Sequence, residues 1–157
     1  MTPIELCAAI ALAASLNAPL PDERVAVACD NAEHVIEYAE DHDVDPVLLA
    51  SLIYVESRWN PKAQSWADAC GLTQVVHRYA DESCEDLKDP QTSIRVGAEK
   101  LRKWIDVAGG DVRGGLACYN AGYVCLKSSE AAGYARKVLR ICEEIRRHLE
   151  CHDLRGA

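Results

Sequence analysis

The chain has 157 residues, 49% of them hydrophobic, and a formal net charge of −8. That is enough apolar chain for one domain with its own core, and it excludes a disordered segment. No run of Lys or Arg breaks the acidic balance, which speaks against nucleic acid and against an anionic membrane surface as partners.

In chain order, residues 1–28 read as an N-terminal helix or an export signal, and residues 29–157 as the main domain. Leu6 to Leu16 is apolar and Ala-rich apart from Ser15, and Asn17-Ala18 stands where a signal would be cleaved. Nothing basic precedes the run, however, and Glu5 is acidic, so the leading segment is wrong for export. The run is also too short to cross a bilayer, and no stable membrane insertion is expected. A helix follows over about Asp30 to Asp41, with Ala32, Val35, Ile36 and Ala39 on its inward stripe. His34 and His42 read as surface residues.

Asp45-Pro46 is a strong helix start, an N-cap followed by a residue suited to the first helical position. Behind it Val47, Leu48, Leu49, Leu52, Ile53 and Val55 predict a mostly buried helix that ends before Asn60-Pro61. Glu56 sits at that end. A carboxylate there is more often a solvated last-turn group. Partial burial would instead raise its pKa, as a general acid requires near neutral pH. Further on, a short helix is predicted over Leu72 to Tyr79, and Asp81 to Asp89 reads as a solvated acidic turn. Asp89-Pro90 opens a helix with Ile94, Ala98, Leu101 and Ile105 buried, closed by Gly109-Gly110. The last helix runs from about Ser129 to His148, with Tyr134, Val138, Ile141, Ile145 and Leu149 on one face. No alternating strand pattern extends beyond a few residues, so the fold is expected to be mainly α with little or no β structure. Trp59 and Trp104 are expected in the core, while Trp66 is free to stack on a ligand.

There are eight cysteines, without a Cys-x-x-Cys pair and without His at zinc spacing. Neither a metal nor another cofactor is therefore expected.

Four segments together carry a resemblance. Glu56-Ser57-x-Trp59-Asn60-Pro61-x-Ala63-x-Ser65 with Gly71-Leu72-x-Gln74 is similar to the first motif of the family 1 lytic transglycosylases, enzymes with a lysozyme-like SLT domain. Asp89-Pro90-x-x-Ser93-Ile94-x-x-Gly97 resembles the second, and Cys118-Tyr119-Asn120-Ala121-Gly122 the third, with Cys118 where Ala is common. Tyr134-x-x-x-Val138 matches the fourth. The resemblance covers about residues 32 to 140. It implies one lysozyme-like domain acting on peptidoglycan glycan strands outside the cytoplasm. It implies that Glu56 first protonates the bond between N-acetylmuramic acid and N-acetylglucosamine. The same group then takes the C6 hydroxyl proton, giving a 1,6-anhydro end. No second carboxylate suggests itself, which agrees with a single acid/base.

The resemblance further implies substrate contacts from Ser57, Ser65, Gly71, Gln74, Tyr119 and Asn120, and a Tyr134 hydroxyl that orients Glu56. Ser57 reads equally well as a helix-terminal cap. Gly71 would let the backbone approach the glycan, and Gly97 would permit close helix packing. The family commonly has Gly at Asp68, Met at Thr73 and Pro at His77. An enzyme acting on cell wall suggests disulfides rather than buried thiols, with Cys70–Cys84 and Cys118–Cys125 the local pairings and the overall connectivity open. The small size suits a wall-piercing enzyme of a phage virion or a secretion apparatus. Two rival readings remain, a hydrolysing muramidase of the goose-lysozyme kind and a non-catalytic wall-binding or virion module.

Overall fold

Four of the helices in this chain begin on side chains that close otherwise free amides. In the computed structural model, which describes residues 1–153, the helices are α1 (Pro3–Asn17), α2 (Asp22–Asp30), α3 (Ala32–Asp41), α4 (Pro46–Ser57), α5 (Pro90–Val107), α6 (Val112–Ala121) and α7 (Ser129–Asp153). Thr2 and Glu5 form a reciprocal capping box on α1, and the carboxylates of Asp45, Asp89 and Asp111 accept from first-turn amides of α4, α5 and α6. The side chain of Cys151 and the end of the expected 29–157 domain lie outside the described residues. None of the described helices is long and apolar enough to cross a membrane.

Helix α4 is the centre. Every residue from Val47 to Tyr54 is buried, and α3 and α7 pack against it. Burying each of its Leu and Ile side chains is worth about 1.5–3 kcal/mol, so the position of the helix is fixed from all sides. The predicted stripes of α5 and α3 face the same core, although Ile36 is only half-buried. Helix α1 adds Leu6, Ala9, Ile10, Ala13 and Ala14 to it and lies along α7.

Helix α4 ends two residues earlier than Asn60-Pro61 requires. Arg58 and Trp59 both take left-handed backbone angles, φ 51° and 58°. Trp59 turns wholly into the core. The Arg58 guanidinium donates to the carbonyls of Ala18 and Pro19 at 3.0 and 2.6 Å, and the Tyr54 hydroxyl donates to the same Ala18 carbonyl at 2.9 Å.

The predicted helix over Leu72 to Tyr79 is not formed. In its place β1 (Ala69–Cys70) and β2 (Val75–Val76) make a two-stranded antiparallel hairpin, and a single 3-10 turn follows over His77–Tyr79. Leu72, Val75 and Val76 fit helical spacing, but the backbone is left-handed just before them at Gly71 (φ 76°) and between them at Gln74 (φ 50°). Thr73 is drawn down onto α5, where its hydroxyl donates to the Ser93 carbonyl at 2.9 Å. These side-chain bonds replace the helical ladder.

Three disulfides are formed among the described residues. Cys70–Cys84 ties β1 to the acidic turn, and Cys118–Cys125 ties α6 to the 3-10 turn Gly122–Lys127. Cys7–Cys29 joins α1 to α2, a pairing that local spacing did not suggest. Cys142 is free and buried.

Candidate active site

The last turn of α4 delivers Glu56 to a corner formed with α7 and α6. The Tyr134 hydroxyl donates to its Oε1 at 2.5 Å. Burial withdraws the carboxyl from water and lifts its pKa from 4.5 to about 7, against the opposing pull of the Tyr134 hydrogen bond and of Lys137, one turn further along α7. None of the groups that shift it is a carboxylate. Burial also raises the phenol pKa of Tyr134 and of Tyr119, and in each case the Glu56 charge adds to the effect. Glu56, Tyr119 and Tyr134, from three separate motifs, thus form one electrostatic unit.

The second motif reaches this corner through the hairpin. Tyr119 donates its hydroxyl to the Thr73 carbonyl at 2.8 Å. Thr73 is in turn held by Ser93. A Cβ on Gly97 would lie 2.3 Å from the Thr73 methyl, so this glycine makes room for the hairpin turn rather than for another helix. The chain from α5 through Thr73 fixes the ring of Tyr119.

Other predicted residues are placed as follows. Ser57 donates to the Ile53 carbonyl at 3.2 Å and is buried. Ser65 accepts from the amides of Ala67 and Ala69 and closes the loop before β1. The Gln74 amide donates to the carbonyls of Ala63 and Gly71, leaving its oxygen available. Gly71 is buried against protein, since a Cβ there would sit 1.8 Å from the Leu87 carbonyl oxygen. Asn120 is exposed at the end of α6. The departure at Asp68 has a backbone reason. Its φ is 60°, a conformation natural to Gly and tolerated by Asp.

A cavity of about 540 Å³ opens beside this corner, between the hairpin, α5 and the Gly122–Lys127 turn. Gln74, Tyr119, Asn120 and Trp104 line it, and so do Tyr79, Lys100, Lys103 and Tyr123, which sequence reasoning did not single out. Glu56 is not on its wall; Tyr119 is the residue common to cavity and acid. Trp104, expected in the core, is half-buried there and meets Tyr123 edge-on with ring centroids 5.0 Å apart. The signal for this face was the Lys100, Lys103, Trp104 spacing on one side of a helix.

A mainly helical domain with a half-buried acid at a helix end and a small adjoining hairpin is a lysozyme-like arrangement. Solved structures share the fold. The 70 kDa soluble lytic transglycosylase of Escherichia coli aligns with TM-score 0.64 and 23% identity, over 73% of this chain and 24% of its own. An inactive Glu-to-Gln mutant of the lytic transglycosylase Slt from Pseudomonas aeruginosa aligns with TM-score 0.66 and 19% identity, over 75% of this chain and 24% of its own.

The chain belongs to the Transglycosylase SLT domain family, which residues 33–139 match. Among curated relatives, the membrane-bound lytic murein transglycosylase F of Pectobacterium atrosepticum is 37% identical over 91 residues, 54% of this chain and 19% of that protein. The membrane-bound lytic murein transglycosylase E of Buchnera aphidicola is 33% identical over 90 residues, 47% of this chain and 41% of that protein. The chain thus matches less than half the length of these relatives.

Proposed function

We propose that this chain is a peptidoglycan lytic transglycosylase that cleaves the β-1,4 bond between N-acetylmuramic acid and N-acetylglucosamine. One observation supports this above the others. A single carboxyl with a pKa near 7 is held by a tyrosine hydroxyl, and no second carboxylate among the described residues is coupled to it. A group with that pKa is readily protonated at the start of a reaction and readily ionised in the middle of it.

In this reading, protonated Glu56 gives its proton to the glycosidic oxygen as the C1–O bond breaks. The muramoyl N-acetyl carbonyl shields the electron-poor C1. The Glu56 carboxylate then accepts the proton of the C6 hydroxyl, whose oxygen closes on C1. The product is a 1,6-anhydro-muramoyl end, and Glu56 is left protonated without consumption of water. Tyr134 holds the carboxyl in place through both transfers. Tyr119 and Asn120 meet the sugar, Gln74 offers its amide oxygen, and Ser57, Ser65 and Gly71 keep the surrounding loops in shape. The setting is extracytoplasmic, where the wall polymer lies and where cysteine pairs persist.

The test is mass spectrometry of muropeptides released from purified sacculi by the wild type and by Glu56→Gln. Anhydro-muropeptides from the wild type and none from the variant are expected. Reducing ends in place of anhydro ends would make the enzyme a muramidase. Wall binding without products from either protein would make it a binding module.

A further inference from the structure

The cavity beside the acid has a charge character opposite to that of the whole protein. Among the described residues its charged lining is Lys100 and Lys103, with no acid, in a chain with 25 acidic and 17 basic residues. The two lysines lie three apart on α5 with Trp104 adjoining, so one helix face presents all three. Lys100 donates to the Tyr79 carbonyl at 3.0 Å, which anchors its ammonium at the rim and leaves it further donors. Lys103 is exposed and has no acidic partner among the described residues. Tyr123, which lines the same cavity, is 79% exposed while its ring meets that of Trp104 in a T-shaped contact. An open aromatic ring suits the C–H face of a sugar, and the Asn120 amide lines the same cavity with donor and acceptor.

We propose that this cavity is a specificity subsite for a carboxylate-bearing unit of the glycan, its ring seated against Tyr123 and Trp104 and its carboxylate taken by Lys100 and Lys103. The proposal rests on the glycan-cleaving function above and adds to it which part of the polymer is recognised. A neutral saccharide gains nothing from two lysines, whereas an acidic one finds in them the local reversal of a field that elsewhere repels it. Two parts of the wall polymer have the required chemistry: the lactyl carboxylate of a peptide-free muramoyl unit, and the carboxylates of a peptide stem.

Binding is measured by calorimetry on the full chain bearing Glu56→Gln, so that turnover does not interfere. The probes are a neutral chito-oligosaccharide, a peptide-free muramoyl fragment and a peptide-bearing one of equal sugar length. At low salt the acidic fragments are expected to bind more tightly than the neutral one. Lys103→Gln is expected to weaken them by about threefold and Lys100→Gln with Lys103→Gln by about tenfold, as suits partly exposed ion pairs. Chito-oligosaccharide binding should not change. Preference for the peptide-bearing fragment alone assigns the stem, preference for the peptide-free fragment alone assigns the lactyl group, and preference for both shows that the lysines take either carboxylate. Equal weakening of all three probes, indifference of the acidic probes to the lysines, or no binding of any probe overturns the subsite. Lysine-dependent binding in a protein whose wild type releases no muropeptides would retain the subsite and remove the enzyme. Release of anhydro-muropeptides with no such preference would do the reverse.

Discussion

The helical body and the hairpin segment of residues 58–89 are stabilised by different means. The body has one large apolar cluster drawn from α1 to α7, which Trp59 and Leu72 of the segment also enter. The hairpin segment has a small one of its own, Cys70, Val75 and Leu87 closed by Val96 of α5, with Ala80 and Cys84 against it. What the segment lacks in apolar area it makes up with a disulfide, five left-handed residues and side chains bonded to backbone, from Ser65, Thr73 and Gln74. The body therefore sets the place of the acid, and the segment sets the shape of the cleft beside it. Changes in the two should separate accordingly.

The largest expected effect is in the body. Glu56→Gln should lower anhydro-muropeptide release by about a thousandfold or more, the scale of a lost general acid/base. The same variant should be the more stable protein in alkali. The folded pKa of about 7 exceeds the ordinary 4.5, so between these values the folded chain keeps a proton that the unfolded chain has released. The stability from the neutral form is therefore complete below the lower value and is lost as pH rises through the upper one. Chemical denaturation should show Glu56→Gln gaining about 2 kcal/mol on the wild type between about pH 5 and pH 8. A gain independent of pH would contradict the burial of this carboxyl.

Next in size, Gly71→Ala places a methyl on the Leu87 carbonyl at a left-handed position and should cost about 2–4 kcal/mol. Loss of activity with near-native helical circular dichroism would locate the damage in the hairpin segment. Replacing Cys70 and Cys84 by Ser should cost about 2–3 kcal/mol. Hydrogen exchange should then quicken in Ala69–Val76 and not in α4; equal quickening in both would show that the two regions unfold as one. Tyr134→Phe removes the hydrogen bond that lowers the Glu56 pKa. The alkaline limb of the activity profile should move to higher pH, with about a tenfold loss of rate. Smallest of all, Trp66→Ala, at a side chain 98% exposed, should change stability by less than about 0.5 kcal/mol.

The sequence was most legible where packing repeats with helical period and caps mark the ends. Asp45-Pro46, Asp89-Pro90 and the stripe from Ile94 to Ile105 led directly to α4 and α5. It was least legible where few residues decide the backbone. Nothing in Leu72 to Tyr79 distinguishes helix from hairpin by spacing, because the deciding contacts, Thr73 with Ser93 and Gly71 with Leu87, are distant in sequence. The resemblance located Glu56, Tyr119 and Tyr134, which the fold brings to one corner. It did not locate the basic wall of the cavity, since Lys100, Lys103 and Trp104 look like an ordinary half-solvated helix face until Tyr123 joins them in lining the cavity. Cys7–Cys29 was hidden for the same reason, as its proximity comes from how α2 folds back on α1.

The paired anchoring of the Ala18 carbonyl by Tyr54 and Arg58 bears on how a working fragment of this protein could be cut. The family match begins at residue 33, yet Arg58, the left-handed residue at which α4 ends just beyond the acid, is secured together with Tyr54 on the α1–α2 connection. A fragment trimmed to the matched region would keep every motif and lose the tether that stops the helix there. For expression or grafting, the inherited signature and the foldable unit are different lengths of chain.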